Sequence, residues 1–394
     1  MTKTLFHNFT LFDGKSTENE SDAWFVVEDG KLVDRGTGHT PSGTDEEVNL
    51  KGQFVMPGFL NVHSHLTSRP DTFDGGFGMS ETESAVLAQQ HLRQLLKSGV
   101  TYVRECGDSY DVDIKLKKMM KNGLLKHVPE LQPSGRAMSM TGGHGDAPHA
   151  AYLTDSPDEM RKAVRTALKN GARVIKMMAT GGVMTPGDFM ADPQLSIEEM
   201  RTGVVEAHHK GIRASAHAEG NPGIQNALDA GMDSIEHGFY VTEKECQQMV
   251  KNGTFLTPTL IAEMNIPKYG HGVLPEWEIK KCEDALDDTY RNFKRAFKLG
   301  VKFTCGTDAG TPFNGFDKTP EEFEYLTKVG MTPAEAYQCS SLNSATLCDV
   351  AEDHGTLEVG KFADFQVLKA DPLQDVTVVQ QVDKQVYLKG KREF

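Results

Sequence analysis

The chain has 394 residues, 38% of them hydrophobic and 25% charged, and a formal net charge of −14. This is the composition of a globular protein with ample chain for a large core, and it excludes a disordered one. The negative balance, with no basic run to override it, repels nucleic-acid phosphates and anionic lipid headgroups, so neither nucleic acid nor membrane is an expected partner.

The chain opens MTKTLFHNFTLFDGKS, without the continuous apolar stretch and small-residue cleavage site of a secretory signal. No apolar run approaches the roughly 18 residues of a membrane span. Six dispersed cysteines, none in a Cys-x-x-Cys pair, read as free thiols in a reducing compartment. The expected location is the cytoplasm.

Short strands are predicted at 4–6, 10–12, 23–28 and 31–34, with Asp13-Gly14 and Asp29-Gly30 as turns. The end of the chain has the same character, with strand-like runs at 364–368, 376–382 and 385–389. Both termini, 1–53 and 356–394, are therefore expected to build one small β-sandwich domain. Between them, from 54 to 355, apolar β-branched runs alternate with segments of helical periodicity, the pattern of βα units. Eight strands are predicted, at 54–62, 101–105, 131–138, 173–179, 212–216, 234–237, 255–259 and 302–307. The clearest helices are 156–170, 196–209 and 281–299, and Gly171, Gly211 and Gly300 are their expected C-caps. Eight strands favour a closed (β/α)₈ TIM-type barrel over an open doubly wound sheet, giving an α/β fold with a β-sandwich attached.

In such a barrel the chemistry sits at the C-terminal ends of the strands. Strand one ends in His63-Ser64-His65, whose imidazoles share a side because alternate strand residues do. Lys176 lies inside strand four, His217 and His237 end strands five and six, and Asp308 ends strand eight. Singly, each has an ordinary reading: a satisfied core histidine, a helix cap, a surface lysine. Together, four histidines and an aspartate at strand ends of one barrel are a metal-ligand set.

The order His-x-His, Lys, His, His, Asp resembles the binuclear amidohydrolase superfamily. Pro57-Gly58-Phe59-Leu60-Asn61-Val62-His63-Ser64-His65 is similar to its strand-one signature, and residues 355–365 (GTLEVGKFADF) resemble its return into the β-sandwich. Thr141-Gly142-Gly143-His144-Gly145-Asp146, residues 176–182 (KMMATGG) and Glu236-His237-Gly238-Phe239-Tyr240 point to its Xaa-Pro dipeptidase and imidazolonepropionase-like group. The resemblance implies two divalent metals, zinc first, with manganese and cobalt as alternatives. It places one on His63, His65 and Asp308 and the other on His217 and His237, bridged by an N6-carboxylated Lys176. Met177 and Met178 are expected to desolvate the lysine amine. Asp308 would then be the catalytic proton shuttle, and His144 and Tyr240 would contact substrate. Arg104 and Glu105 are read as a structural pair.

The leading function is hydrolysis of an amide in a small molecule, a dipeptide of the Xaa-Pro kind or an N-acyl amino acid. The alternatives are a cyclic-amide hydrolase resembling imidazolonepropionase, a lactonase or phosphotriesterase, and a non-enzymatic metal-binding scaffold. Two stretches, 183–194 and 262–278, are candidates for shaping specificity or oligomer contacts. A homo-oligomer is expected by analogy alone.

Overall fold

The computed structural model describes residues 2–71 and 78–394. Its strands are, in chain order, β1 (Lys3–Leu11), β2 (Glu20–Glu28), β3 (Lys31–Thr37), β4 (Glu46–Pro57), β5 (Phe59–Ser64), β6 (Val100–Glu105), β7 (Glu130–Gln132), β8 (Ala137–Ser139), β9 (Ala151–Leu153), β10 (Val174–Met178), β11 (Arg213–Ala218), β12 (Ser234–His237), β13 (Phe255–Thr257), β14 (Lys302–Phe303), β15 (Phe365–Leu368), β16 (Gln385–Leu388) and β17 (Lys391–Arg392).

Both termini share one sheet, in the order β17-β16-β15-β4-β1-β2-β3. The join is direct, since β4 pairs with β1 in parallel and with β15 antiparallel. Its apolar face gathers Phe6, Phe9, Phe25, Phe365 and Tyr387, with Phe365 and Tyr387 stacked at 4.3 Å. Burying such rings drives the association of the two ends.

The remaining strands form a (β/α)₈ barrel. Two parallel sheets, β5-β6-β7 and β14-β13-β12-β11-β10-β8-β9, make up its wall. The stave expected at 131–138 is interrupted: β7 pairs with β6, and β8 with β10. Pro133, which has no N–H to give a ladder, stands at the break, and its carbonyl accepts from the Arg173 amide at 2.7 Å. On the far side the wall closes where the Val62 amide donates to the Cys305 carbonyl at 2.8 Å.

Four other expectations are corrected. The strand predicted at 54–62 is divided, because β4 ends at Pro57 in the terminal sheet and β5 begins at Phe59 in the barrel. The Gly58 amide donates to Asp364 and the Phe59 amide to Gly99, so consecutive residues serve different sheets. A Cβ at Gly58 would lie 2.3 Å from the Thr101 side chain. The strand predicted at 302–307 is regular only over β14; beyond it the Thr307 and Asp308 amides both donate to the His63 carbonyl, at 3.2 and 2.9 Å, which breaks the ladder. The stretch 376–382 contains a 3₁₀ helix, Val376–Gln380, begun by the Asp375 carboxylate accepting from the Thr377 amide. The segment 262–278 is not an open loop, because helices Leu260–Tyr269 and Glu276–Lys298 take up most of it.

The predicted helices form at Pro157–Asn170, Ile197–His208 and Glu276–Lys298. Ser156 and Ser196 cap the first two through their hydroxyls, and Ser196 completes a capping box with Glu199. Gly171, Gly211 and Gly300 turn at positive φ just past the ends, as expected.

The closure leaves no room at Gly306, where a Cβ would meet Thr257 Cγ2 at 2.5 Å and His63 Cβ at 2.6 Å. Gly306→Ala is expected to destabilise the fold by about 2–4 kcal/mol through overpacking and to displace His63, read as a lower urea midpoint. Glu322 supplies a pH test. Its buried carboxyl accepts from the Leu260 and Ile261 amides and is pushed up by burial to about 8. The folded state therefore holds a proton that the unfolded state, with a value near 4.5, releases. Its contribution to stability is full at low pH and is lost as pH rises through about 8. Urea midpoints measured from pH 5 to 9 should fall less steeply in Glu322→Gln.

Candidate metal centre and cavity

Alternation along the strands aims the candidate side chains inward. On β5, His63 and the following His65 flank Ser64 and both reach Asp308: His63 Nε2 is 3.3 Å and His65 Nε2 3.0 Å from Asp308 Oδ1. Lys176, buried in the middle of β10, brings its Nζ to 3.4 Å from His63 Nε2. His217 and His237 lie at adjoining positions on β11 and β12, their rings 4.7 Å apart, and the His237 ring is 4.9 Å from that of His63. All six expected ligand side chains thus converge. The methionines beside the lysine divide, however. Met178 lines the cavity, while Met177 points outward onto Gly203 of helix Ile197–His208, so it does not desolvate the amine.

Among the described residues the donor atoms form two compact trios, His63-His65-Asp308 and His217-Glu219-His237, each with its atoms within 4.8 Å of one another. Either trio could hold a divalent cation. Glu219 was not anticipated as a donor. Its place two residues after His217, just past the end of β11, was the available signal. A third group, His63-Cys106-Glu236, lies beneath the first.

The electrostatics suit cation binding. Burial pushes the His217 and His237 imidazoles well below the usual histidine range, and neighbouring rings and Lys176 add to it, so both are neutral with a lone pair to give. Burial would raise Asp308, but His63 and His65 outweigh it and hold its carboxyl well below the carboxylate range. His65 Nδ1 donates to the Gly107 carbonyl at 2.8 Å, which fixes the ring with Nε2 directed at Asp308. Thr259 Oγ1 pairs with His237 Nδ1 at 2.7 Å and orients that ring in the same way. His217 is turned differently, with Nε2 3.0 Å from the Gly181 carbonyl.

Below the centre the pairing differs from expectation. Arg104 does not pair with Glu105, because neighbours on a strand face opposite sides. Arg104 instead donates to Glu236 Oε1 at 2.8 Å, and Glu236 Oε2 lies 2.8 Å from His63 Nδ1. Burial opposes ionisation of Glu236, but Arg104 and His63 overcome it and hold the carboxyl far below its usual range. Glu105 accepts from the Leu66 amide and is pushed up to about 8 by burial and the nearby Asp113.

The donors open into a cavity of about 400 Å³, the size of a small-molecule site. His144 lines it, stacked on His217 at 4.2 Å and 3.2 Å from Thr185 Oγ1. Tyr240 is half-buried nearby, and its amide donates to the Glu219 carbonyl; its side chain is not among the cavity's lining groups. Both candidate specificity stretches contribute walls, Val183 and Met184 from one, Glu263 and Trp277 from the other.

The amidohydrolase family matches residues 54–392. This chain belongs to that family. A Xaa-Pro dipeptidase solved with methionine bound in its active site is 30% identical, with a TM-score of 0.92 and 99% of each chain covered. A prolidase complexed with N-methylphosphonate-L-proline is 26% identical, with a TM-score of 0.91 and again 99% of each chain covered. Ochratoxinase of Aspergillus niger is 30% identical over 359 residues, 83% of this chain and 72% of that protein. Divalent metals are typical of the family, and no helix among the described residues is long and apolar enough to cross a membrane.

Arg104→Met would leave Glu236 buried without its cation, a loss of about 3–5 kcal/mol for a broken internal pair. The double variant Arg104→Met/Glu236→Leu should recover part of that loss in chemical denaturation. Its metal affinity should fall below that of the single variant, since only in the double variant does His63 Nδ1 lose its partner.

Proposed function

We propose that this chain hydrolyses an amide bond in a small substrate, a dipeptide of the Xaa-Pro kind or an N-acyl amino acid. The observation that carries the reading is the convergence of His63, His65, Asp308, Lys176, His217 and His237 on the floor of one cavity. His63, His65 and Asp308 would hold one divalent metal, and His217 and His237 the other. Lys176, carboxylated on its amine, would serve both. Bound metals would supply Lewis-acid polarisation of the scissile carbonyl and an activated water. Zinc suits imidazole and carboxylate donors, as manganese and cobalt also do.

The chain's own groups do the rest. Asp308, held as a carboxylate between two imidazoles, accepts a proton at its carboxylate and returns it to the leaving nitrogen. His144, fixed by its stack on His217 and by Thr185, presents its ring to the substrate. Tyr240, beside the cavity but not lining it, would reach the substrate only by a turn of its side chain. The apolar walls keep bulk water away and strengthen each polar contact. The dipeptidase and prolidase likenesses support the peptide reading. Six buried free cysteines support the cytoplasm as its compartment.

Elemental analysis of protein purified without chelator should find close to two metals per chain. Turnover of a panel of dipeptides and N-acyl amino acids should stop in chelator and return with zinc or manganese. Asp308→Asn should lower kcat by about a hundred-fold or more. A single metal with no panel member cleaved would overturn the reading, and an Asp308→Asn protein that keeps its metals and near-normal turnover would remove the proton role.

A further inference from the structure

Two carboxyl groups in the cavity are left without adequate partners. Glu219, at the end of β11, has an Oε2 with no hydrogen-bond partner among the described residues, and its other oxygen comes no nearer to a histidine than 3.7 Å, from His217 Nε2. Glu263, on helix Leu260–Tyr269, gives one oxygen to the Thr289 hydroxyl at 3.2 Å, and its Oε2 is also unpartnered. Both side chains are more than nine-tenths buried, and both line the cavity that holds the donor trios. A buried carboxyl oxygen with no donor loses its hydration for nothing in return, so such atoms are uncommon in native proteins.

We propose that Glu219 and Glu263 form a cation subsite that receives a protonated amine or guanidinium of the substrate. This rests on the small-amide reading of the same cavity and narrows its substrate class to one carrying a positive charge.

Among the described residues, the lysine that acts electrostatically on Glu219 is already engaged elsewhere. It is Lys281, from helix Glu276–Lys298, and its ammonium is held by the carbonyls of Gly182, Val183 and Thr185 at 2.9, 3.2 and 3.1 Å. Left without a cation, Glu263 is pushed by burial up to about 8, so it would meet neutral ligands largely protonated. An arriving cation reverses that balance and gains a charge-assisted bond in a water-poor site. In the same cavity, Phe239, Ala262, Ile266 and Trp277 offer apolar lining along which a methylene stem can lie.

The charge can come from the α-ammonium of a peptide or from a basic side chain, and three uncleavable probes separate the two. Hexanoate, norleucine and lysine share a carbon skeleton; norleucine adds the α-ammonium to hexanoate, and lysine adds the terminal ammonium to norleucine. Calorimetric titration of the metal-loaded protein should show one of these steps tightening binding by about ten-fold or more. Gain at the first step identifies the α-ammonium and gain at the second a basic side chain. Glu263→Gln, which keeps the shape and can still accept from Thr289, should reduce that step to about three-fold or less, with circular dichroism and metal content confirming the fold. Equal binding of all three probes by the unaltered protein would overturn the subsite, whether or not the variant folds. A gain that persists undiminished in a folded Glu263→Gln would overturn it as well. None of the probes is hydrolysed, so the outcome is independent of whether the dipeptide panel is turned over.

Discussion

Arg104 and Glu236 meet inside the barrel with almost no water around them, and the floor of the cavity is organised by that pair. Removing either charge from water carries a penalty of several kcal/mol, recovered only where geometry and extra hydrogen bonds are good. Here they are. Arg104 Nε donates to the Val62 carbonyl at 2.6 Å, and the Ser234 hydroxyl donates to Glu236 Oε1 at 2.5 Å. The pair therefore ties β6 to β5 and to β12 at one level. Glu236 then passes the constraint on to the His63 imidazole, which faces Asp308 and Lys176 on its other side.

Above this layer, backbone strain does similar positioning. His237, Thr259 and Asp308 all sit at positive φ, at 69°, 47° and 58°, costing on the order of 1–3 kcal/mol each. Such residues persist only where their surroundings hold them. Asn314 does so for Asp308, its side-chain amide donating to the Thr307 and Asp308 carbonyls at 2.6 and 3.0 Å. The hydrogen bond between Thr259 and His237 joins two of the strained residues to each other. Strain gathers where strands hand over to loops, and it turns the side chains across the mouth of the barrel.

The walls are a separate layer, carried by segments that follow the strands. A barrel divided in this way can change its substrate through the loops while its core stays the same. In this chain the wall holds Glu263 and the His144 ring, while the floor holds the donor trios, Glu219 among them. Lys281 binds the two layers together: it rises from the helix after the seventh strand and fastens the loop after the fourth through three carbonyls.

The sequence by itself determined the architecture and named the candidate ligands that the fold brings together. Helical and strand periods differ, glycine and serine mark the caps, and a histidine pair two apart on an apolar strand has few structural explanations, so His63, His65, Lys176, His217, His237 and Asp308 could be named in advance. What it did not determine were relations between residues distant along the chain. Arg104 finds Glu236, 132 positions away, rather than the adjacent Glu105. Met177 turns away from Lys176 while Met178 does not. The strand read at 54–62 divides between two sheets, since a local apolar run does not say which partner will take its hydrogen bonds. Glu219 and Glu263 come from different strands and helices and share a cavity only once the barrel closes. Local pattern specifies what each segment is; only closure decides which charges face one another, because pairing and burial are properties of the space between segments.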